Sequence, residues 1–401
     1  MLRKPYMRIP YTDILAAPTV TPKTANTLAG AVAALQEFFT APSARGAPAS
    51  TLVLTGAGIS VASGLADYRG ANGTYRVNKT YRPIYYSEFL QNHEARKRYW
   101  ARSFLGWTTL HKAKPNASHY AVKQLGDLGL VQRVITQNVD SFHPKAHPSL
   151  PTIELHGYLR ALVCVSCRQE LPRDVFQDEL ARLNPAWAAF LEEIIASGAL
   201  DTENPDERRK RGMRTNPDGD VDLPDAPYTT FRYPSCPHCL THPPTLAEGV
   251  RSTVEVDTDG AWKSTSNAGI LKPAVIMFGE SISSQTKIDA EHAMEGADRL
   301  LVLGTSLATY SAWRLAKRAK DRGIPIAIVN LGGVRGEETL FAGIDPLQKG
   351  AQGARVEMST DALLPELVDK LKQSSGIQHA HENINHGAEQ HGGLVFKDMM
   401  S

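Results

Sequence analysis

Apolar residues along this chain fall in short blocks separated by longer mixed stretches, and that alternation sets the first structural expectation. Over residues 27–39, Leu28, Val32, Leu35 and Phe39 recur at helical spacing and predict a helix with one apolar face. The segment APSARGAPAS at 41–50 ends the periodicity with Pro, Gly and small side chains. Thr51-Leu-Val-Leu-Thr55 is then a compact apolar run, read as a strand, and it stops at Gly56-Ala57-Gly58, where the chain must turn tightly. Similar runs at 131–136, 273–278, 300–303 and 326–329 predict further strands, with helical stretches such as 311–321 between them. Strands alternating with helices predict an α/β fold: a Rossmann-like, doubly wound parallel sheet covered on both faces.

Between about residues 160 and 270 the pattern changes to short strands, and 201–227 is charged, proline-rich and aperiodic. All four cysteines lie in this region, as Cys164-x-x-Cys167 and Cys236-x-x-Cys239. A two-residue gap lets two thiolates of one knuckle reach one tetrahedral ion, and two knuckles complete a four-thiolate shell. A closed shell has no position for water, so the expected zinc ion stabilises the fold and takes no part in chemistry. Cys236-Pro-His-Cys239 alone has the form of a redox dithiol, which needs a helix starting at the pair. The following Leu-Thr-His-Pro-Pro argues against such a helix, and a redox reading leaves the other pair unexplained. The expected organisation is an N-terminal extension (1–26), a nucleotide-binding domain (27–160 with 270–373), an inserted zinc module with a charged loop (161–269), and a disordered tail (374–401).

Composition narrows the options. Forty-two per cent of the 401 residues are hydrophobic, enough for a full core. Lys plus Arg number 44 against 42 Asp plus Glu, a formal charge of +2 that gives no reason to expect direct nucleic-acid binding. No run of eighteen apolar residues occurs, so no membrane span is expected. Arg3, Lys4 and Arg8 against a single Asp13 are compatible with a mitochondrial transit segment, though the long Ser/Arg-rich stretch is lacking. Arg208-Arg-Lys-Arg211 reads as a solvated loop rather than a nuclear signal, and the tail with His379, His381, His386 and His391 as a solvated end rather than a metal site.

Gly56 and Gly58, at the end of a strand, allow backbone amides to approach a pyrophosphate. The third glycine of the dinucleotide fingerprint is replaced by Val61, and no acidic residue ends a second strand about twenty residues on, which disfavours an ordinary dehydrogenase. Polar clusters follow at 63–70 (SGLADYRG), 136–140 (TQNVD) and 154–157 (ELHG). Ligands of open parallel sheets bind at the carboxyl ends of strands, where Asn138, Asp140 and His156 can converge. Taken singly, each has a bland reading: a turn or cap for Asn138 and Asp140, a structural histidine for His156.

Taken together, GAGIS at 56–60, DYR at 67–69, TQNVD at 136–140, LHG at 155–157, the four cysteines, KPAVIMFGE at 272–280, GTSL at 304–307 and IVN at 328–330 resemble the sirtuins, over roughly residues 27–373. The stretch 98–107, RYWARSFLGW, is similar to the mitochondrial sirtuin four subgroup of class II. The resemblance implies an NAD-dependent protein-lysine deacylase that yields nicotinamide, O-acyl-ADP-ribose and free lysine on acyl-lysine proteins. It implies location in the mitochondrial matrix, with nucleus or cytoplasm as alternatives. It also implies the site. Gly56, Ala57 and Gly58 meet the pyrophosphate, and Ser60, Asn138 and Asp140 form the nicotinamide pocket, with Asp140 holding the carboxamide. His156 acts as general base on a ribose hydroxyl, Asn138 assists, and Gln137 orients the ribose. Asp67, Tyr68 and Arg69 belong to the cofactor loop, Tyr68 standing where the family usually has Phe. Gly304, Thr305 and Ser306 face the phosphates and adenosine, Asn330 the adenine ribose, and Ser359 and Thr360 the adenine. The backbone of Met277, Phe278, Gly279 and Glu280 pairs with substrate peptide as an added strand. Some class II relatives select acidic acyl groups with a Tyr and an Arg three residues apart; here Tyr75 and Arg76 are adjacent, so that signature is not matched. The rival readings are protein mono-ADP-ribosyl transfer from NAD, and a non-catalytic NAD-sensing interaction module.

Overall fold

All five residues of strand β1 (Thr51–Thr55) are buried, as an apolar run in a sheet covered on both faces requires. The computed structural model describes residues 14–43, 49–78, 81–198, 214–223, 225–245, 249, 251–344 and 350–374. The basic N-terminal residues, Arg208–Arg211 and the histidine-rich tail lie outside them. β1 is flanked by β2 (Val131–Thr136) and β9 (Arg299–Leu303), followed outward by β3 (Thr152–Glu154) on one side and by β10 (Ile326–Val329) and β11 (Gly353–Val356) on the other. Every pairing is parallel, in the order β11-β10-β9-β1-β2-β3. The chain winds outward from β1 through β2 and β3, then restarts beside β1 at β9. The crevice where direction reverses is where open α/β sheets bind ligands.

Side-chain alternation along the strands divides the core in two. Val53, Val134 and Leu301 pack with Leu35 and Phe38 of helix Leu28–Thr40, Val122 of Ala117–Asp127 and Leu364 of Thr360–Ser374. Leu52, Leu54 and Val302 pack on the opposite face with Met294 of Ser284–Gly296 and Leu315 of Tyr310–Asp321. The expected first helix forms and is capped by Thr27, whose hydroxyl accepts from Gly30 N at 3.1 Å. Its buried arc runs through Ala31, Ala34, Leu35 and Phe38, while Leu28 in the first turn is exposed.

A smaller antiparallel sheet holds β4 (Gly157–Cys164) between β5 (Glu170–Pro172) and β8 (Leu271–Val275). The strand expected at 273–278 therefore begins and ends earlier. Glu280 N bonds Met277 O at 2.9 Å and turns the chain there, so residues beyond Val275 leave the sheet. Helix His93–Lys112 places Trp100 and Phe104 in one core with Phe176, Phe231, Trp262 and the buried cysteines, tying the cysteine-bearing module to the chain before it. A hairpin of β6 (Arg214–Thr215) and β7 (Val221–Asp222) completes the sheets. Among the described residues no helix is long and apolar enough to cross a membrane.

Candidate active site and zinc centre

The carboxyl ends of β1, β2, β9, β10 and β11, with the turn after β3, open into one cavity of about 1150 Å³. Gly56, Ala57, Gly58 and Ser60 line it after β1; Gln137, Asn138 and Asp140 after β2; His156 after β3; Gly304, Thr305 and Ser306 after β9; Asn330 after β10; Ser359 and Thr360 after β11. Asp67, Tyr68, Arg69 and the segment Met277, Phe278, Gly279 and Glu280 complete its wall. Every noncysteine residue that the sirtuin resemblance assigns to the site thus lines the same space.

The glycines let two loops interlock. A Cβ on Gly58 would lie 2.8 Å from Gly304 O, and Gly304 sits at φ +58, where a Cβ would meet Ile59 N at 2.3 Å. Gly58 N bonds Gly304 O at 2.8 Å, fixing the β1 and β9 loops against each other. A larger residue at either position would have to push the loops apart.

Beside them is a tight polar cluster. Ser60 Oγ donates to Asp140 Oδ2 at 2.7 Å, and Asn138 Nδ2 donates to Ser60 Oγ and Gly56 O, both at 3.1 Å. Phe142 N holds the other Asp140 oxygen at 2.9 Å. Burial raises the Asp140 pKa, and the bonds from Phe142 and Ser60 oppose that rise. The 67–75 loop is closed by Gly70 N on Asp67 Oδ1 (2.9 Å) and Thr74 N on Asp67 O (2.9 Å). Tyr68 stacks on Tyr75 at 5.5 Å and meets Phe278 edge-on at 6.5 Å, with the Arg69 guanidinium 5.0 Å over the Tyr75 ring. In the 277–280 segment, Met277 N donates to Glu280 Oε2, Met277 O accepts from Glu280 N, and Phe278 O accepts from Tyr86 N. A peptide laid along this segment meets a turn whose backbone is already engaged at three positions, and Lys272 steadies it with an ion pair to Glu280 at 3.1 Å.

His156 is held at both ring nitrogens. Nδ1 lies 3.1 Å from Gln137 O, an atom that only accepts, so Nδ1 carries the proton and Nε2 the lone pair. Ser311 Oγ, 2.8 Å away, donates to Nε2. Burial lowers the His156 pKa to about 4, so the imidazole is neutral at pH 7.

The four cysteine sulfurs lie within 4.8 Å of one another, with Cys164 Sγ 3.5 Å from Cys239 Sγ and Cys167 Sγ 3.7 Å from Cys236 Sγ. A tetrahedral zinc with bonds near about 2.3 Å separates its sulfurs by roughly 3.8 Å, so the cluster fits a four-thiolate zinc ion. One expectation needs correction. A helix does follow Cys236, the single turn Pro237–Thr241. Proline at its first position is compatible with a helix start, and Pro243 and Pro244 stop it after that turn. The approach of all four sulfurs, and not the lack of a helix, sets the redox reading aside.

A Sir2 family model matches residues 56–311. The chain belongs to the Sir2 family. This sirtuin is 37% identical over 326 residues to the "NAD-dependent protein deacylase SIR4" of Batrachochytrium dendrobatidis, covering 80% of this chain and 90% of that one. It is 36% identical to the "NAD-dependent protein deacylase SRT2" of Arabidopsis thaliana, covering 71% and 67%. It is 33% identical to the "NAD-dependent protein lipoamidase sirtuin-4, mitochondrial" of Bos taurus, covering 73% and 78%. Its fold matches a solved structure described as "Structural Basis for the Mechanism and Regulation of Sir2 Enzymes", with 23% identity, a TM-score of 0.51, and coverage of 85% and 98%.

Two features in and beneath this sirtuin's cavity were not read from the sequence. The first is the β6–β7 hairpin, expected only as part of a charged loop: Pro217, Asp218 and Asp220 line the cavity. Arg102 Nη2 pairs with Asp220 Oδ2 at 2.7 Å, and Asp218, buried beside Asp220, has its pKa raised to about 8. The hairpin sits directly on helix His93–Lys112, where a Cβ on Gly106 would lie 1.7 Å from Gly219 O. Gly106→Val is therefore expected to displace the hairpin and change the order of preference among acyl-lysine peptides, with NAD affinity within about twofold of wild type. Peptide competition and NAD titration check this; an unchanged acyl order would mean the hairpin does not shape the acyl site.

The second is a buried histidine cluster beneath Asn138. His143 Nε2 meets Thr55 Oγ1 at 2.9 Å, Thr55 donates to Thr136 at 2.8 Å, and Thr136 Oγ1 accepts from Asn138 N at 3.1 Å. His143 Nδ1 lies 2.8 Å from His147 Nε2, and His119 packs against His143 at 4.9 Å between ring centroids. Burial lowers all three pKa values, His119 to about 3. Histidines neutral in the fold but titrating near roughly 6.5 when unfolded give stability that is present above that pH and lost as pH falls below it. Each contributes a slope of up to about 1.4 kcal/mol per pH unit in that window. Calorimetry is expected to show Tm falling steadily from pH 7 to pH 5, less steeply in His147→Gln; a flat profile would contradict neutral burial.

Proposed function

We propose that this sirtuin is an NAD-dependent protein-lysine deacylase that frees lysine and releases nicotinamide and O-acyl-ADP-ribose. The observation that carries the reading is that a neutral imidazole, His156, and the Asn138–Ser60–Asp140 cluster line one cavity at the strand-end crevice. The NAD-dependent names of the relatives supply the cofactor. The residues suit it: Gly56, Gly58 and Gly304 line the cavity at the ends of β1 and β9, and because a Cβ on any of them would strike the opposite loop, glycine there keeps the two loops close at the strand ends, where a pyrophosphate approaches backbone amides. Bound NAD supplies an ADP-ribosyl acceptor for the acyl group, with nicotinamide as leaving group.

The chain's own groups would then divide the work. Asp140, fixed through Ser60 and Phe142 N, holds a carboxamide N–H in a set direction. Asn138 and Gln137 keep the sugar oriented, so the reacting atoms meet without a further entropic cost. Gln137 is itself locked, donating through Nε2 to Thr305 Oγ1 at 2.9 Å and Thr55 O at 3.1 Å. His156 takes a proton from a ligand hydroxyl at Nε2, being in its basic form at neutral pH. Tyr68 and Phe278 form an aromatic lid edge that keeps water from the reacting carbon. Gly304, Thr305 and Ser306, with Asn330, Ser359 and Thr360, receive the adenosine half. The zinc ion, held by Cys164, Cys167, Cys236 and Cys239, is structural. We read residues 27–160 with 270–373 as the NAD-binding unit and 161–269 as the zinc module. We also place the protein in the mitochondrial matrix, on its basic N-terminal residues and the bovine relative's name.

The test is a panel of acyl-lysine peptides, from acetyl to lipoyl, incubated with NAD while nicotinamide release is followed. Peptide-dependent release with at least one acyl group is expected; no release with any would overturn the reading. The lipoyl member belongs there because of the activity named for the bovine relative.

A further inference from the structure

The proposed base is not open to the cavity at its lone-pair nitrogen. Ser311 Oγ occupies that position at 2.8 Å, itself lining the cavity. Behind it, Thr309 Oγ1 lies 3.3 Å from Ser311 Oγ and donates to Gln137 Oε1 at 2.9 Å, so while the one Ser311 proton is on Nε2, Thr309 stands as an acceptor for the next. Gln137 cannot flip without losing its two Nε2 bonds to Thr305 and Thr55, so its Oε1 is a fixed acceptor. Gln137 O closes the circuit by holding His156 Nδ1 at 3.1 Å.

We propose that Ser311 is a proton relay for His156, passing a proton from a ligand hydroxyl in the cavity to Nε2, with Thr309 and Gln137 Oε1 steadying the charged imidazole that results. This rests on the deacylase reading for the identity of the hydroxyl, but the hydrogen-bond circuit does not. The transfer balances: the ligand O–H breaks as an O–H forms on Ser311, while the existing Ser311 O–H breaks as an N–H forms at Nε2. No electron changes hands. Ser311 then accepts from Nε2–H and turns its new proton toward Thr309, whose own proton stays on Gln137 Oε1. The hydroxyl suits this position because one oxygen both gives and receives a proton. The circuit answers a difficulty set by burial, which makes His156 a weak base; an acceptor ready for Nε2–H favours the protonated form.

Of the charged groups that line the cavity near Ser311, Lys287 of Ser284–Gly296 is the cation to set beside three that are engaged with other residues. Asp140, from the turn after β2, is tied to Ser60; Glu280 is paired with Lys272; Arg314, one turn along from Ser311, is paired with Glu291 at 2.8 Å. The causes acting on the imidazole are burial and the bond from Nδ1 to Gln137 O, with no charged side chain among them.

The experiment combines two readouts on the full chain. Histidine-labelled protein without ligand is titrated by NMR, with the His156 resonance identified by its loss in His156→Gln. The resonance should report the Nδ1–H tautomer, and Ser311→Ala should lower its pKa by up to about one unit, the scale of one charge-assisted hydrogen bond. In kinetics, Ser311→Ala should lower kcat by about tenfold or more, leave the NAD KM within about twofold, and move the acid limb of the pH profile downward. Ser311→Thr, which keeps the hydroxyl, should restore most of both. An unshifted His156 titration in Ser311→Ala, or turnover equal to or above wild type, would overturn the relay. If wild-type protein shows no NAD-dependent turnover, the deacylase reading fails while the titration still decides whether Ser311 acts on His156.

Discussion

His156→Ala is expected to cut kcat for acyl-peptide-dependent nicotinamide release by roughly 10²–10⁴-fold, the range lost with a general base. The fold should survive. The His156 side chain hydrogen-bonds to Gln137 O and Ser311, the carbonyl that accepts from Ile276 N is kept in the alanine variant, and the residue belongs to none of the apolar clusters that cover the sheet. Zinc content should be unchanged, because His156 precedes the first residue of β4 while Cys164 is its last, with the other cysteines gathered around Cys164. NAD affinity should alter little, since the groups assigned to the carboxamide and the phosphates are bonded to one another and not to the imidazole. Near-normal turnover would remove His156 from the role of base.

Cys236→Ser is expected to reduce bound zinc from one per chain to near zero and lower Tm by about 10 °C or more, a loss of several kcal/mol in a domain of this size. Four thiolates in a closed shell act together, so losing one leaves a three-sulfur site with a much weaker hold. The module should loosen without unfolding outright. Cys164, Cys236 and Cys239 are embedded in a core with Trp100, Phe176, Phe231 and Trp262, and that apolar contact does not depend on the metal. Elemental analysis and calorimetry check both parts. Unchanged zinc with a normal Tm would contradict a shared site.

Much of this arrangement was legible in the sequence because local rules carried it. β1, β2 and β10 are short apolar runs ended by Gly or polar residues, and they form where the pattern put them. The residues at their carboxyl ends converge because a parallel sheet brings all those ends to one edge. What escaped were features decided by tertiary contact. β11 is four residues long and has a buried arginine, Arg355, satisfied by carbonyls of Asn330, Val356 and Gly332; a charged residue in so short a segment gives no strand signal. β8 ends early because the chain turns at Met277–Glu280, where Glu280 N bonds Met277 O. Leu28 is exposed because the buried arc of its helix centres on Ala31, Leu35 and Phe38. The hairpin at 214–222 reaches the cavity only because Gly106 leaves room for Gly219 on a helix more than a hundred residues earlier. Ser311 looked like an ordinary early-helix serine, since nothing local shows that His156 lies against it.

The proposed chemistry requires one cavity to bring a general base and an NAD-gripping cluster together to move an acyl group. Mass spectrometry of a single-turnover reaction with NAD and acyl-lysine peptide tests it most directly. One nicotinamide and one O-acyl-ADP-ribose are expected for each lysine freed. Peptide that keeps its acyl group while protein gains ADP-ribose would contradict it.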